Sequence, residues 1–393
     1  DILMNHRNLD IDIVVEGDGA AFGKMLVDKL GERLTTHKKF GTAVLILPNH
    51  FRIDIATART EFYEHPAALP EVEFSSIRKD LARRDFTINA MAVALNAPKF
   101  GDLLDFFGGQ QDIQDQTIRV LHNLSFVEDP TRIFRAVRFE QRYNFQMDTH
   151  TEGLAKKAIE MELVGRLTNV RIRDELRLIL SEDTAWDALQ RLARLAALKN
   201  LHPQIKIDAR LRTLFRSIQS SSPKLSYYFP AKTRRWLIFL IALIRNLTSD
   251  QLEDWGNRMR FKKDDLRTLQ EGVLKTPAVL KTLASTAKLK NSELYLLLHP
   301  LSHESLVYIY GKSSQLLVRQ RIDFYLGNLK NVRVHVNGKT LLEMGFKPSS
   351  LFSMVLNELL EAKLDRAVRT KTEEEDFVRD RLEKAESEKI GSL

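Results

Sequence analysis

Leu9-Asp10-Ile11-Asp12-Ile13-Val14-Val15-Glu16-Gly17 is the stretch on which the fold of this chain turns. Its β-branched, apolar composition predicts a buried strand. Side chains alternate along a strand, so Leu9, Ile11 and Ile13 point into a core. Asp10 and Asp12 then share the other face. Two carboxylates that close repel unless a cation lies between them. A divalent ion with hard oxygen ligands, Mg²⁺ above all, resolves the conflict. The polar face of an edge strand reads the same way, so neighbours decide.

Working outward, residues 18–34 predict a helix, with Ala21, Met25, Leu26, Val27 and Leu30 near helical spacing. Residues 40–47 predict a strand, Pro48-Asn49-His50 a turn, and residues 51–57 a third strand. Asp54 lies between two isoleucines there, laid out like Asp10 and Asp12. It either completes a metal site or serves as base for a hydroxyl, or it faces solvent at a sheet edge. Residues 61–80 have no clean period and are expected to form a loop.

Arg83-Arg84-Asp85-Phe86-Thr87-Ile88-Asn89-Ala90 follows. Asp85 is expected to cap a helix reaching about Leu95, and arginines beside a helix N-terminus make an anion site. Asp105 with Gly108-Gly109 reads as a strand end and a turn needing positive φ. In Glu128-Asp129-Pro130-Thr131-Arg132 a helix begins, with Pro130 in its first turn. Arg132, Arg135, Arg138 and Arg142 line one face of it, and a row of cations without acids on that stripe invites an anionic ligand. Beyond residue 150 the periodicity is helical. Ser220-Ser221-Ser222-Pro223 reads as the clearest linker, 332–336 as an extended segment, and 372–389 as a charged terminal helix prone to fraying.

Composition sets the outer limits. The 393 residues are 44% hydrophobic and 28% charged, as in ordinary globular chains. No apolar run reaches the ~18 residues of a membrane span, and no secretory leader is evident. The absence of cysteine excludes disulfides and thiolate zinc sites and accords with a reducing cytoplasm. A net charge of +8 favours a polyanionic partner.

Asp10-Ile11-Asp12, the Arg83–Ala90 stretch, Asp105 with Gly108-Gly109, Glu128-Asp129-x-x-Arg132-x-x-Arg135, and Arg171-Ile172-x-x-Glu175-Leu176 together resemble, in order and spacing, the five motifs of the class II tRNA nucleotidyltransferase and bacterial poly(A) polymerase family. The resemblance implies an α+β fold: a polymerase-β-type nucleotidyltransferase head with a small mixed sheet, then all-α neck, body and tail. Boundaries are expected at 1–122 (head), 123–182 (neck), 183–300 (body) and 301–393 (tail). Residues 337–382 resemble the end of long members that carry phosphoesterase-like and paired cystathionine-synthase-type domains upstream. That family also has a Gly-Gly turn and an Arg just before the first motif. The sequence starts at Asp1, so those residues are expected to lie upstream of what is represented.

The resemblance further implies that Asp10 and Asp12 bind Mg²⁺, with Asp54 as third catalytic acid. Arg84, Asp129, Arg132, Arg135 and Arg138 are implied to contact the incoming nucleotide, and Asp85 and Asn89 of the same motifs join them as nucleotide-binding candidates. The implied substrates are ATP and CTP, the implied partner the 3′ end of tRNA. An RNA 3′-hydroxyl would attack the α-phosphorus and expel pyrophosphate. Asp129 and Arg132 would read the base, one accepting from an amino group and the other donating to a ring nitrogen, which suits C and A. A poly(A) polymerase shares every motif, and a non-catalytic RNA-binding module is the third alternative.

Overall fold

A computed structural model describes residues 2–4, 11–30, 33–37, 41–48, 50–62, 64, 71–199, 201–229, 233–348 and 350–390. Asp10, half of the leading carboxylate pair, and Leu9 lie outside the described residues. The chain divides into two compact units, Asp1–Pro203 and Gln204–Leu393.

The first unit opens with β1 (Ile11–Val15), α1 (Gly19–Leu30), β2 (Arg33–His37), β3 (Thr42–Ile46) and β4 (Arg52–Thr57). Four strands form one mixed sheet in the order β1-β4-β3-β2, parallel between β1 and β4 and antiparallel elsewhere. Ala43, Leu45 and Ile55 are buried on one face, packed with Ile13, Val15, Phe22, Leu26 and Leu34. α1 lies on that face. Gly19 and Gly23 permit the approach: a Cβ on Gly19 would stand 2.9 Å from the Thr57 nitrogen, and one on Gly23 3.0 Å from the Ala43 Cβ. Asp18 Oδ1 accepts from the N–H groups of Ala20 and Ala21, which starts the helix there.

Three expectations need correction here. Ile11 is 45% exposed, so the apolar face of β1 is buried only from Ile13 onward. The helix expected over 18–34 stops at Leu30, because Leu34 and its neighbours gain a sheet partner in β3. The loop expected over 61–80 carries instead the β5 (Arg59–Phe62) and β6 (Glu71–Phe74) hairpin and α2 (Ile77–Ala82). Cross-strand pairing, invisible to local periodicity, supplies that order.

Then come a 3-10 turn at Thr87–Asn89, β7 (Met91–Val93), β8 (Leu103–Asp105), α3 (Gly109–Gln114) and β9 (Thr117–Ile118). No helix runs from Asp85 to Leu95: after one tight turn the chain extends to pair β7 with β8. The glycine turn forms as expected, with Gly108 at φ 77°. Asp105 accepts from the N–H groups of Phe107, Gly109 and Gln110. The unit closes with α4 (Ser125–Glu128), α5 (Thr131–Tyr143), β10 (Gln146–Met147), α6 (Thr149–Glu160), α7 (Asn169–Ser181) and α8 (Ala185–Arg194).

The described part of the second unit is helical: α9 (Ala209–Ser226), α10 (Arg235–Leu243), α11 (Ser249–Arg258), α12 (Lys263–Gln270), α13 (Thr276–Ala284), α14 (Asn291–Leu298), α15 (His303–Lys312), α16 (Leu316–Phe324), α17 (Gly338–Glu343), α18 (Ser350–Leu364) and α19 (Lys371–Ile390). π-helical turns join α12 to α13 and follow α16. The serine-rich linker is overturned. Residues 220–223 continue α9, with the Ser221 and Ser222 hydroxyls donating to the carbonyls of Ser217 and Ile218. Leu225, one turn on, is buried and holds that end of the helix in the core. Residues 332–336 form no strand. Glu374, wholly buried, accepts from the N–H groups of His335 and Val336 and pairs with Lys363. With Val378 and Leu382 in a buried cluster, this docks α19, which does not behave as a frayed end over its first three turns.

Candidate active site

β1 and β4 run parallel with Asp12 opposite Asp54. Residues paired this way project from the same face, and Ile13 and Ile55, one step on, enter the core. The two carboxylates therefore stand side by side on the sheet face away from α1. Asp54 is 30% exposed and accepts from Arg52 Nε and Nη2 at 3.0 and 2.7 Å. Hard carboxylate oxygens converging at a solvent-facing strand pair fit a divalent cation. Among the described residues no third such ligand joins them, and Asp10 lies outside that set.

The arginine-rich motifs lie at the end of α2 and along α5. Glu16, just past β1, accepts from the Ile77 N–H at 2.6 Å and so ties α2 to the end of that strand. Asp80 on α2 is fully buried and holds Arg83 through Nε and Nη2, with Arg84 Nη2 at 3.6 Å. Asp85 accepts from Phe86 N–H and Asn89 Nδ2 with one oxygen and from Arg135 with the other, at 2.7 and 2.6 Å. Arg132 is 5% exposed; its Nη1 donates to Ser125 Oγ and its Nη2 to the Arg83 carbonyl, both at 2.8 Å. Asp129 takes three donors on a single oxygen: Thr131 N–H, Thr131 Oγ1 and Arg171 Nη2. Its second oxygen takes none of these.

The arginine row differs from expectation in one respect. It is not an exposed stripe without acids. Arg132 and Arg138 are buried, and acids reach the row from other elements: Asp85, Glu175 on α7, and Glu182 within 3.7 Å of Arg138 and 3.6 Å of Arg142. A one-helix pattern cannot display partners about 50 residues away. Burial lowers the Arg138 guanidinium below its ordinary value, opposed by Glu175 and reinforced by Arg135. Burial also acts on Arg135, but Asp85 outweighs it and holds that cation firmly charged. Burial raises the Glu175 carboxyl, against the pull of Arg135 and Arg138. Arg84 Nε, Arg138 Nε and Glu175 Oε2 are buried without a hydrogen-bond partner. Arg138 and Glu175 lie within electrostatic reach of each other, and buried charged atoms without partners recur at functional sites.

Asp85, Asn89 and Arg135 thus form one group, Arg84 and Arg132 meet through Asp80 and Arg83, Asp129 pairs with Arg171, Arg138 lies near Glu182, and Asp12 and Asp54 form one strand pair. Asp80 and Ser125 were missed as holders of those groups; Arg171, which opens the fifth motif, was given no role there. The spacings of Asp80 to Arg83 and Arg84, three and four residues, carried a signal; Ser125 carried none, and Arg171 carried one as the start of the fifth motif.

Known proteins resemble this chain in sequence and fold. Residues 1–119 match the model of the poly A polymerase head domain, and residues 144–208 that of the "Probable RNA and SrmB- binding site of polymerase A". The A-adding tRNA nucleotidyltransferase of Geobacter sulfurreducens is 38% identical over 95% of this chain and 43% of its own length. That of Halalkalibacterium halodurans is 33% identical over 91% of this chain and 80% of its own. The Thermotoga maritima CCA-adding enzyme solved with tRNA superposes at a TM-score of 0.71 and 34% identity, covering 98% of this chain and 89% of that one. The chain belongs to the tRNA nucleotidyltransferase family. It spans less than half the length of the Geobacter relative.

Proposed function

We propose that this chain transfers AMP from ATP to the 3′ end of tRNA without a nucleic-acid template. The observation that carries the reading is the in-register pair Asp12–Asp54 on the same compact unit as the arginine-rich motifs. Of the three proteins above that align over more than nine-tenths of the chain, two are named A-adding and one CCA-adding; AMP is common to both activities, which favours AMP.

In the proposed reaction a new O3′–Pα bond forms, the Pα–O bond to the β-phosphate breaks, and pyrophosphate leaves. Family chemistry needs a divalent metal; Mg²⁺ is the ion proposed, with Asp12 and Asp10 as its carboxylate ligands. When bound, such an ion neutralises developing negative charge on the transferred phosphoryl group. Asp54 receives the proton of the attacking hydroxyl, its position fixed by Arg52. Arg84, Arg135 and Arg138 supply positive charge to the triphosphate, and Asp85 and Asn89 hold Arg135 in place. The unused oxygen of Asp129 accepts from the adenine amino group, and Arg132 donates to the adjoining ring nitrogen. Guanine and uracil offer a carbonyl where the amino group belongs, leaving two acceptors opposed, a mismatch that can reject by orders of magnitude. The helical second unit holds the tRNA by shape and phosphates. No helix among the described residues is long and apolar enough to cross a membrane.

The test offers tRNAs ending before, within and after C-C-A, with each NTP in turn and Mg²⁺. One AMP on tRNA ending in C-C is expected. No incorporation refutes the proposal, and long A tails on many RNAs assign the chain to poly(A) synthesis instead.

A further inference from the structure

Asp129 receives more donors than the start of a helix needs. A carboxylate there ordinarily accepts from a backbone N–H of the first turn. The Thr131 N–H, 2.9 Å from Asp129 Oδ1, already fills that role for α5. Two side chains then add to the same oxygen. Thr131 Oγ1 donates to it at 2.6 Å, and Arg171 Nη2 reaches it from α7, also at 2.6 Å. A carboxylate oxygen has about two lone-pair sites, so three donors saturate Oδ1. Among the described residues none donates to Oδ2, and the Asp129 side chain is 19% exposed. Thr131 is 6% exposed, and its hydroxyl proton goes to Asp129.

The torsion fixed by this clamp is a soft one. Rotation about the Cβ–Cγ bond of an aspartate is broad and roughly two-fold, so an unclamped carboxylate tilts readily. The backbone does not hold it. Asp129 N–H donates to the Ser125 carbonyl and its own carbonyl accepts from Arg132 N–H, both at 3.1 Å, and these bonds fix the main chain alone. Rejection of a base carbonyl requires an acceptor that neither tilts aside nor takes in a bridging water. Adenine tolerates a tilt, because its amino group donates equally well to a displaced carboxylate oxygen. Guanine and uracil gain from every degree of freedom that the carboxylate gains.

We propose that Thr131 is a positioning residue for base choice: its hydroxyl pins Oδ1 of Asp129, so that only a fixed Oδ2 meets the incoming base. This rests on the reading that Asp129 accepts from the adenine amino group. The experiment measures kcat/KM for ATP, GTP and UTP on tRNA ending in C-C, in the parent, Thr131→Ala and Thr131→Ser. Both variants lose the methyl group, and only Thr131→Ala loses the hydroxyl. Ratios taken within one sample cancel any loss of folded enzyme. Thr131→Ala should narrow the ATP preference over GTP and over UTP by roughly tenfold, the weight of one hydrogen bond to a charged group. The change should come from better use of GTP and UTP, with kcat/KM for ATP within about threefold of the parent. Thr131→Ser should keep the parental ratios. Parental ratios in Thr131→Ala, or equal narrowing in both variants, overturn the clamp and leave Thr131 as a capping and packing residue. A parent that adds GMP or UMP as readily as AMP overturns base reading by Asp129 itself, and the clamp with it.

Discussion

Replacing Ser125 by Ala removes one of two tethers on Arg132. Ser125 is fully buried, and its hydroxyl accepts from Arg132 Nη1 at 2.8 Å while the Arg83 carbonyl holds Nη2. The lost bond involves a charged donor, and Arg132 is too enclosed for easy rescue by solvent. A cost of about 2 kcal/mol follows, within the range for hydrogen bonds to charged groups. For a unit of this size that is a fall in Tm of roughly 4–8 °C. The effect on function is separable. A guanidinium held at one point instead of two is displaced from the base it reads, and displacements near 1 Å cost about 10²-fold in rate. The assay pairs thermal unfolding with steady-state AMP incorporation, and adds GTP and UTP as competitors. The expected outcome is a kcat/KM for ATP lower by one to two orders of magnitude, with discrimination against GTP and UTP narrowed. A variant that melts early but keeps the parental kcat/KM and base preference would show that Ser125 only fills space. It would also refute the assignment of Arg132 to base reading.

Other contacts have consequences of the same kind. Gly19→Ala places a methyl 2.9 Å from the Thr57 nitrogen, so α1 must lift from the sheet; a loss of about 1–3 kcal/mol is expected in urea unfolding. Burial raises the Glu374 carboxyl, but Lys363 and the N–H groups of Val336 and His335 outweigh it and hold it below the ordinary range. Its stabilising contribution is therefore complete above about pH 4.3, the unfolded value, and is lost as pH falls through the lower folded value. Glu374→Gln should flatten that acid limb of a stability-versus-pH curve and lower stability at neutral pH by about 2–4 kcal/mol, leaving Lys363 unpaired. Asp85→Asn breaks the pair with Arg135 and should cost about 2–4 kcal/mol together with a raised KM for ATP; a double-mutant cycle with Arg135→Ala would return no coupling if the pair is inert.

The strand pair was legible because alternation fixes which side chains share a face. Ile-Asp-Ile in two places gave both strands and both carboxylates. The glycine turn at Gly108 was legible because positive φ has few tenants. The missing part was whatever depends on distant chain. Residues 59–62 and 71–74 order each other by pairing, and neither segment has an internal period that shows it. Ser220-Ser221-Ser222-Pro223 has the composition of a linker, yet serine hydroxyls bonded back one turn and a buried Leu225 keep it helical. The arginine row on α5 was visible as a row. Its acids, Asp85 after α2 and Glu175 and Glu182 on α7 and its C-terminal cap, come from two other segments and only folding brings them to it.

The most direct test of the central claim is a single-turnover measurement of AMP incorporation with Asp12→Asn, Asp54→Asn and the double variant, at saturating Mg²⁺. If the two carboxylates work as one unit, each single change drops the rate to nearly the same floor, and the double variant falls little further. Independent, multiplying losses, or a near-parental rate in either single variant, would contradict the account.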